Sequence, residues 1–288
     1  MSPDDPCPCE SGLPAMECCL TPNGFKCKPV LTDPPCPKTG LSRKGCYAAS
    51  LCDCGSCLSR EHFVSHSILR KIEDGNQCGV KISGFPWMDD ECGRIFPPQA
   101  LVSRVLCDRH NSALSGLDAV AERLFSALDE KNAAGSEQNL LYLFNGHDIE
   151  RWLLKVLCGF ASSGNLTFTR PITSDIPAGW IEVLFGIKNF EPGQGLYVCR
   201  TRGTKFEGPR GVAVSPVGRR SSLVGVILLV CGYELILVMS PPAERQLLNR
   251  QVVYRPMEFH VTGPAYEKSV VLCWEQLADL GTIHFEIC

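Results

Sequence analysis

The chain has 288 residues, 44% hydrophobic and 20% charged, with a formal net charge of −3. That composition is globular, with room for one large domain or two ordinary ones and a sizeable core. It excludes nucleic-acid binding driven by bulk positive charge. Charge is uneven, however: residues 24–71 carry eight basic side chains (Lys26, Lys28, Lys38, Arg43, Lys44, Arg60, Arg70, Lys71) against three acidic ones. A local basic face is what a phosphate backbone needs, and a solvated surface is the plainer reading. Residues 1–5 have neither a basic stretch nor an apolar run, so no secretory signal is expected. The expectation is a cytoplasmic chain whose 18 cysteines stay reduced, so that the close-spaced ones read as zinc ligands rather than disulfides.

Residues 1–22 hold Cys7, Cys9, Cys18 and Cys19 in the spacing C-x-C-x8-C-C. Four sulfurs so close can grip one tetrahedral zinc, with Glu10-Ser11-Gly12 supplying the turn. A unit this small has no core of its own, so a metal must hold it. The stretch 6–20 closely resembles the SEC-C motif, the metal-binding tail of the bacterial preprotein translocase motor, which is also appended to many unrelated bacterial proteins. The resemblance implies a bacterial source, zinc on these four cysteines, and binding, such as to a protein partner, rather than catalysis. The basic run usual between the cysteine pairs is replaced here by Leu13-Pro14-Ala15-Met16-Glu17.

Residues 23–45 are rich in Pro and Lys and read as a linker, in which Cys27 and Cys36 have no clear partners. The stretch 46–135 reads as a second zinc-binding unit. A short helix is predicted at 67–72, a strand at 79–83, a turn at 84–87 and a strand at 100–106. A helix follows His110, with Leu114, Leu117, Val120, Ala121, Leu124 and Leu128 on its apolar stripe. Cys54-x2-Cys57 and Cys107-x2-His110 form two half-sites for a second zinc. Cys46 and Cys52 rival the first pair, and the CxxC spacing favours Cys54 and Cys57.

Around these half-sites, Ser59-Arg60-Glu61-His62-Phe63-Val64 and 106–115 resemble the HNH (ββα-metal) nucleases with zinc knuckles. That resemblance implies His62 as the general base activating water, and Glu61 and Asn111 as ligands of Mg²⁺ or a similar divalent ion. Ser115 and Asp118 fall on the same helical face as Asn111 and either complete a metal site or face solvent. The usual Asn-Leu pair before the second knuckle and the Gly-Gly loop after the first His are missing, and Glu61 stands in place of the commoner Asp.

The stretch 139–288 is expected to open with an amphipathic helix at 148–160, capped around Gly146-His147-Asp148, with Arg151 and Lys155 on a solvated face. Short apolar runs at 180–186, 195–200 and 269–274 then predict a mainly antiparallel sheet. The apolar segment 223–239 contains Gly225, Gly232 and Glu234 and reads as two buried strands rather than a membrane span. His147, His260 and His284 read as structural, and the later cysteines, including Cys158 and Cys273, as small buried hydrophobes. The whole is an α+β chain: a zinc knuckle, an HNH-like module and a C-terminal α+β domain. The leading expectation is a metal-dependent endonuclease on DNA or RNA. The alternative is a non-catalytic, zinc-stabilised adaptor for nucleic acid or protein.

Overall fold

The structure is a computed structural model describing residues 2–75, 79–85, 88, 93–128, 139–164, 176–199, 211–219, 222–240, 252–263, 266–275 and 281–286. It is an α+β fold. The N-terminal part contains a hairpin of β1 (Leu20–Thr21) and β2 (Gly24–Phe25), then β3 (Leu58–His62), α1 (His66–Gly75), β4 (Val80–Ser83) and β5 (Arg94–Phe96). Next come β6 (Val102–Cys107), α2 (Asp108–Ala113) and α3 (Ser115–Leu128), and then β7 (Asn139–Asn145), α4 (Gly146–Ser162) and α5 (Ala178–Leu184). The C-terminal strands are β8 (Gly195–Cys199), β9 (Gly211–Arg219), β10 (Ser222–Val230), β11 (Tyr233–Val238), β12 (Val252–Tyr254), β13 (Glu258–Gly263), β14 (Tyr266–Cys273) and β15 (Thr282–Glu286).

β3 and β6 pair antiparallel, with Leu58 opposite Cys107 and His62 opposite Val102, and α2 follows directly. α2 therefore starts at the end of this ribbon where Leu58 meets Cys107. A seven-stranded sheet has the order β12-β8-β11-β10-β9-β4-β5. Its pairs are antiparallel except β4 with β9. β4 and β5 belong to the 46–135 stretch, so that stretch and the C-terminal one share a sheet. A four-stranded sheet, β15-β13-β14-β7, mixes one antiparallel pair with two parallel ones.

α4 touches β7 of the smaller sheet, β8, β10 and β11 of the larger, and also α3, α5 and β6. Nearly every side chain along it is buried, Trp152, Leu153, Leu154, Val156 and Leu157 among them. A helix apolar almost all round belongs to a core, not a surface, so Lys155 is not on a solvated face; it is 2% exposed. The cap is Asn145, whose Oδ1 accepts from the amides of His147 and Asp148 at 3.0 and 3.3 Å. Two other elements depart from the sequence expectation. Residues 139–145 form a strand, and the apolar run at 180–186 lies mostly in helix α5, which Pro177 starts and which packs on α4. Residues 224–230 and 235–238 fall within the hairpin of β10 and β11, as expected. Among the described residues no helix is long and apolar enough to cross a membrane.

Candidate metal centres

Among the described residues two groups of ligand side chains converge: Cys7, Cys9, Cys18 and Cys19, and Cys46, Cys54, Cys107 and His110. In the first, Cys9 Sγ lies 3.4 Å from Cys18 Sγ, and Cys18 Sγ lies 3.6 Å from Cys19 Sγ. A tetrahedron of thiolates at the usual zinc–sulfur distance has edges of about 3.8 Å, so these contacts fit a shared ion. The turn that aims them holds Glu10 and Gly12 at positive φ, while the Ser11 hydroxyl donates to Cys18 Sγ at 3.2 Å. Burial raises Cys7 and Cys19. It also acts on Cys9, but hydrogen bonds from Ser11 and Cys7 prevail and bring that thiol down to about 6. The knuckle is not a free tail. Leu143 donates its amide to Pro8 O at 3.2 Å, Arg123 donates to Cys9 O, and Leu141, Leu143 and Val271 pack on the sulfurs.

The second group is buried throughout. His110 Nδ1 is the focus: Cys107 Sγ lies 3.2 Å from it, Cys46 Sγ 3.5 Å and Cys54 Sγ 4.0 Å. A tetrahedral zinc site places sulfur and nitrogen ligands about 3.6 Å apart, and these three values bracket it. Cys46, not Cys57, completes the group. Cys57 is exposed, and its thiol donates to Asp108 Oδ2 at 3.4 Å. Cys52 is exposed too, at a left-handed turn.

Local structure explains the choice of Cys46. Tyr47 donates its amide to Val105 O at 2.9 Å, laying residues 46–47 along β6, and the Cys107 amide points at Cys46 Sγ at 3.4 Å. A 3₁₀ turn at Ala49–Leu51 returns the chain to Cys54. Asp53 then locks the loop to α2: Arg109 Nη2 reaches its Oδ2 at 3.1 Å and the Thr39 amide its Oδ1 at 2.8 Å. A Cβ on Gly55 would meet the Asp108 carboxylate and displace it, and the Gly55 amide donates to Cys107 Sγ at 3.2 Å. Burial raises the Cys46 and Cys54 thiols and lowers His110. The imidazole is thus neutral and ready to ligate, while the thiols need a cation to ionise them.

The three proposed catalytic residues do not form a comparable group. Glu61 and His62 are consecutive in β3, so the pleat sends them to opposite faces. Glu61, 1% exposed, points inward, accepting from Tyr47 Oη at 3.2 Å and lying 3.5 Å from Lys155 Nζ. Lys155 in turn donates to both Asp118 oxygens at 3.0 and 2.8 Å. Asp118 also accepts from Ser65 Oγ at 2.7 Å, and Ser65 accepts from Trp152 Nε1 at 3.0 Å. Burial outweighs the Lys155 attraction and raises Glu61 to about 7. For Lys155 the two carboxylates outweigh burial, so its pKa is raised and the ammonium stays charged.

His62 lies on the other face, 4.6 Å from His66 ring to ring, and is lowered to about 4, chiefly by burial and then by His66. It is therefore neutral near pH 7. Among the described residues, its Nε2 and Glu61 Oε2 are buried atoms with no hydrogen-bond partner. Asn111 sits in α2, and among the described residues no hydrogen bond joins it to Glu61 or His62. Leu114 caps α2, and Asp118 belongs to the next helix, α3, where it is taken up by Lys155 and Ser65. Ser115 donates back to Ser112 O at 2.7 Å.

The sequence reading missed Tyr47 and Lys155. The density of apolar residues around Lys155 on α4 was the available signal, since a lysine in a core helix is buried and needs a counter-charge. Comparisons with protein-family models, with curated proteins and with solved structures find no match to the chain.

Proposed function

We propose that this chain is a zinc-stabilised nucleic-acid-binding protein with a degenerate ββα module, which holds a phosphate backbone without cutting it. The observation that carries the reading is a pair of arginines. Between Ser59↔Leu106 and Glu61↔Ser103 the β3–β6 register slips by one, so Arg60 faces the bulge containing Arg104. Both arginines are exposed, and among the described residues neither has an acidic partner. Like charges across a strand pair are destabilising, an arrangement that a bound anion relieves. Guanidinium groups suit phosphate oxygens, which they meet through two parallel hydrogen bonds. Exposed Lys28, Lys38 and Lys44 add positive charge along the preceding segment.

The absence of cutting follows from Lys155. Its ammonium lies 2.8 Å from Asp118 and 3.5 Å from Glu61, neutralising the carboxylates that a catalytic cation would need. Metal-dependent cleavage is the second reading. It draws on the neutral His62 and on the unpartnered Glu61 Oε2 and His62 Nε2, and it requires Lys155 to give up its place.

Fluorescence anisotropy with short duplex and single-stranded probes, over a range of salt, tests the first reading. Arg60→Ala combined with Arg104→Ala should weaken binding at least tenfold and flatten the slope of log K against log salt by about 2. Unchanged affinity and slope would overturn the binding role. In parallel, incubation with plasmid and Mg²⁺ or Mn²⁺ should leave the substrate intact. Cleavage that disappears in His62→Ala would install the nuclease reading instead.

A further inference from the structure

A groove of about 500 Å³ lies between the first knuckle, α3 and β7. Ala119, Glu122, Arg123, Ser126 and Ala127 line it from α3, Glu10 from the knuckle turn and Tyr142 from β7. The α3 residues are spaced i, i+3, i+4, i+7 and i+8, so a single helix face supplies one whole wall. Ala119 and Ala127 stand about 12 Å apart along the helix axis, and their small side chains leave room for a ligand against that wall.

Most of the charge in the groove is already engaged. Arg123 donates from Nη1 to Cys9 O and from Nη2 to Leu143 O at 3.1 Å, with its guanidinium 4.3 Å from the centre of the Phe144 ring. Lys71 of α1 donates to Ser126 Oγ and lies 3.5 Å from Glu122 Oε1. Glu10 and Tyr142 differ. Glu10 is exposed and Tyr142 half-buried, and among the described residues neither the carboxylate nor the hydroxyl has a hydrogen bond or an ion pair. The backbone at Glu10 is nonetheless fixed. It stands at a φ of 60°, its amide donates to Cys7 O at 2.9 Å, and the carbonyl before it is the one that Arg123 holds.

An anion entering the groove meets the unpaired Glu10 carboxylate and two cations already bound to other acceptors. A cation with N–H donors meets a free carboxylate and a hydroxyl oxygen able to accept, while the alanine methyls suit an alkyl chain. We propose that this groove binds a primary alkylammonium group, carried by a free polyamine or by the lysine side chain of a protein partner. An ammonium presents three donors on one compact head, so Glu10 and Tyr142 can share it. The site is independent of nucleic-acid binding at Arg60 and Arg104.

The test is isothermal titration of the full, zinc-loaded chain with spermidine and, separately, with Nα-acetyl-lysine methylamide. Glu10→Gln keeps the side chain's size and removes its charge, and should weaken binding about fivefold. Tyr142→Phe should weaken it about threefold. Glu191→Gln removes an exposed carboxylate that does not line the groove, and should change nothing. Preference for spermidine assigns the groove to free polyamines, and preference for the lysine derivative assigns it to a protein side chain. No saturable binding of either probe up to about 10 mM would overturn the proposal. So would equal weakening in Glu10→Gln and Glu191→Gln, the mark of attraction to overall negative charge. Should Glu10→Gln fail to fold, Tyr142→Phe is the comparison, and undiminished affinity in that variant would overturn the site equally.

Discussion

The first cysteine group takes its four thiols from residues 7–19 and rests on a small satellite core, with Cys9 and Cys18 partly open to solvent. The second draws ligands from residue 46 to residue 110, and its sulfurs belong to the main core that includes Phe63, Leu114, Trp152 and Leu184. The same tetrahedral chemistry would thus do two jobs. In the first group a bound ion would replace a core that a short segment cannot build. In the second it would pin the 46–54 segment to β6 and α2, and so hold the β3–β6 ribbon in place under α4. Spacing along the chain identifies a knuckle of the first kind. A knuckle of the second kind is settled by which thiol the tertiary structure turns inward.

The contrast predicts unequal consequences of removing one sulfur. Structural zinc contributes about 10–16 kcal/mol of apparent folding free energy, against a total stability of about 5–15 kcal/mol. Cys46→Ser should therefore lose both one equivalent of zinc and the cooperative thermal transition. Cys9→Ser should lose one equivalent of zinc yet keep the main transition, because the main core does not include it. Cys57→Ser should keep its zinc and stay within about 0.5 kcal/mol of the unmodified chain. Elemental analysis and thermal circular dichroism read all three. If Cys57→Ser behaved as Cys46→Ser is expected to, the assignment of the fourth ligand would be reversed.

A smaller effect is expected at Lys155, the buried cation that the second unit acquires from α4. Lys155→Met leaves Glu61 and Asp118 facing each other without a counter-charge, and breaking a buried pair in this way costs about 3–5 kcal/mol. Urea denaturation measures it. Adding Asp118→Asn to Lys155→Met should recover part of the loss, since the stranded carboxylate goes with its partner. A neutral Lys155→Met would mean that the network contributes no net stability and that the carboxylates have another partner.

What the sequence made legible divides along the same line. Cys7, Cys9, Cys18 and Cys19 are close in sequence because one short turn must aim them, so spacing alone finds them. Cys54, Cys107 and His110 were found through half-sites, but Cys46 lacks a close-spaced partner and Cys57 has one. Only the packing of residues 46–47 along β6 separates the two. The strand β3 was passed over in favour of its motif, and so the pleat that parts Glu61 from His62 went unseen. The parallel β4–β9 pair joins segments about 130 residues apart and leaves no local trace. α5 reads as strand because Ile181 and Val183 are β-branched; packing against α4 overrides that preference.

Glu61 offers the finest test of whether the second unit holds a lysine or a divalent cation beneath its ribbon. Its carboxyl is raised from 4.5 to about 7, so the folded chain binds this proton more tightly than the unfolded chain. The resulting penalty is absent below about pH 4.5, grows as pH rises, and is complete above about pH 7, where it amounts to about 3 kcal/mol. His62 works in the opposite sense. Lowered from 6.5 to about 4, it favours folding while neutral and withdraws that support as pH falls through this window. The two slopes oppose each other between about pH 4.5 and 6.5, so the stability of the unmodified chain does not isolate either group. The difference between Glu61→Gln and the unmodified chain does. It should favour the variant increasingly from pH 5 to pH 8, by up to about 3 kcal/mol in denaturant midpoints converted at constant slope. A difference that stays flat over that range would mean that Glu61 is ionised throughout. A carboxylate beside a bound divalent ion behaves in that way, and one that meets only Lys155 and Tyr47 in a buried site does not.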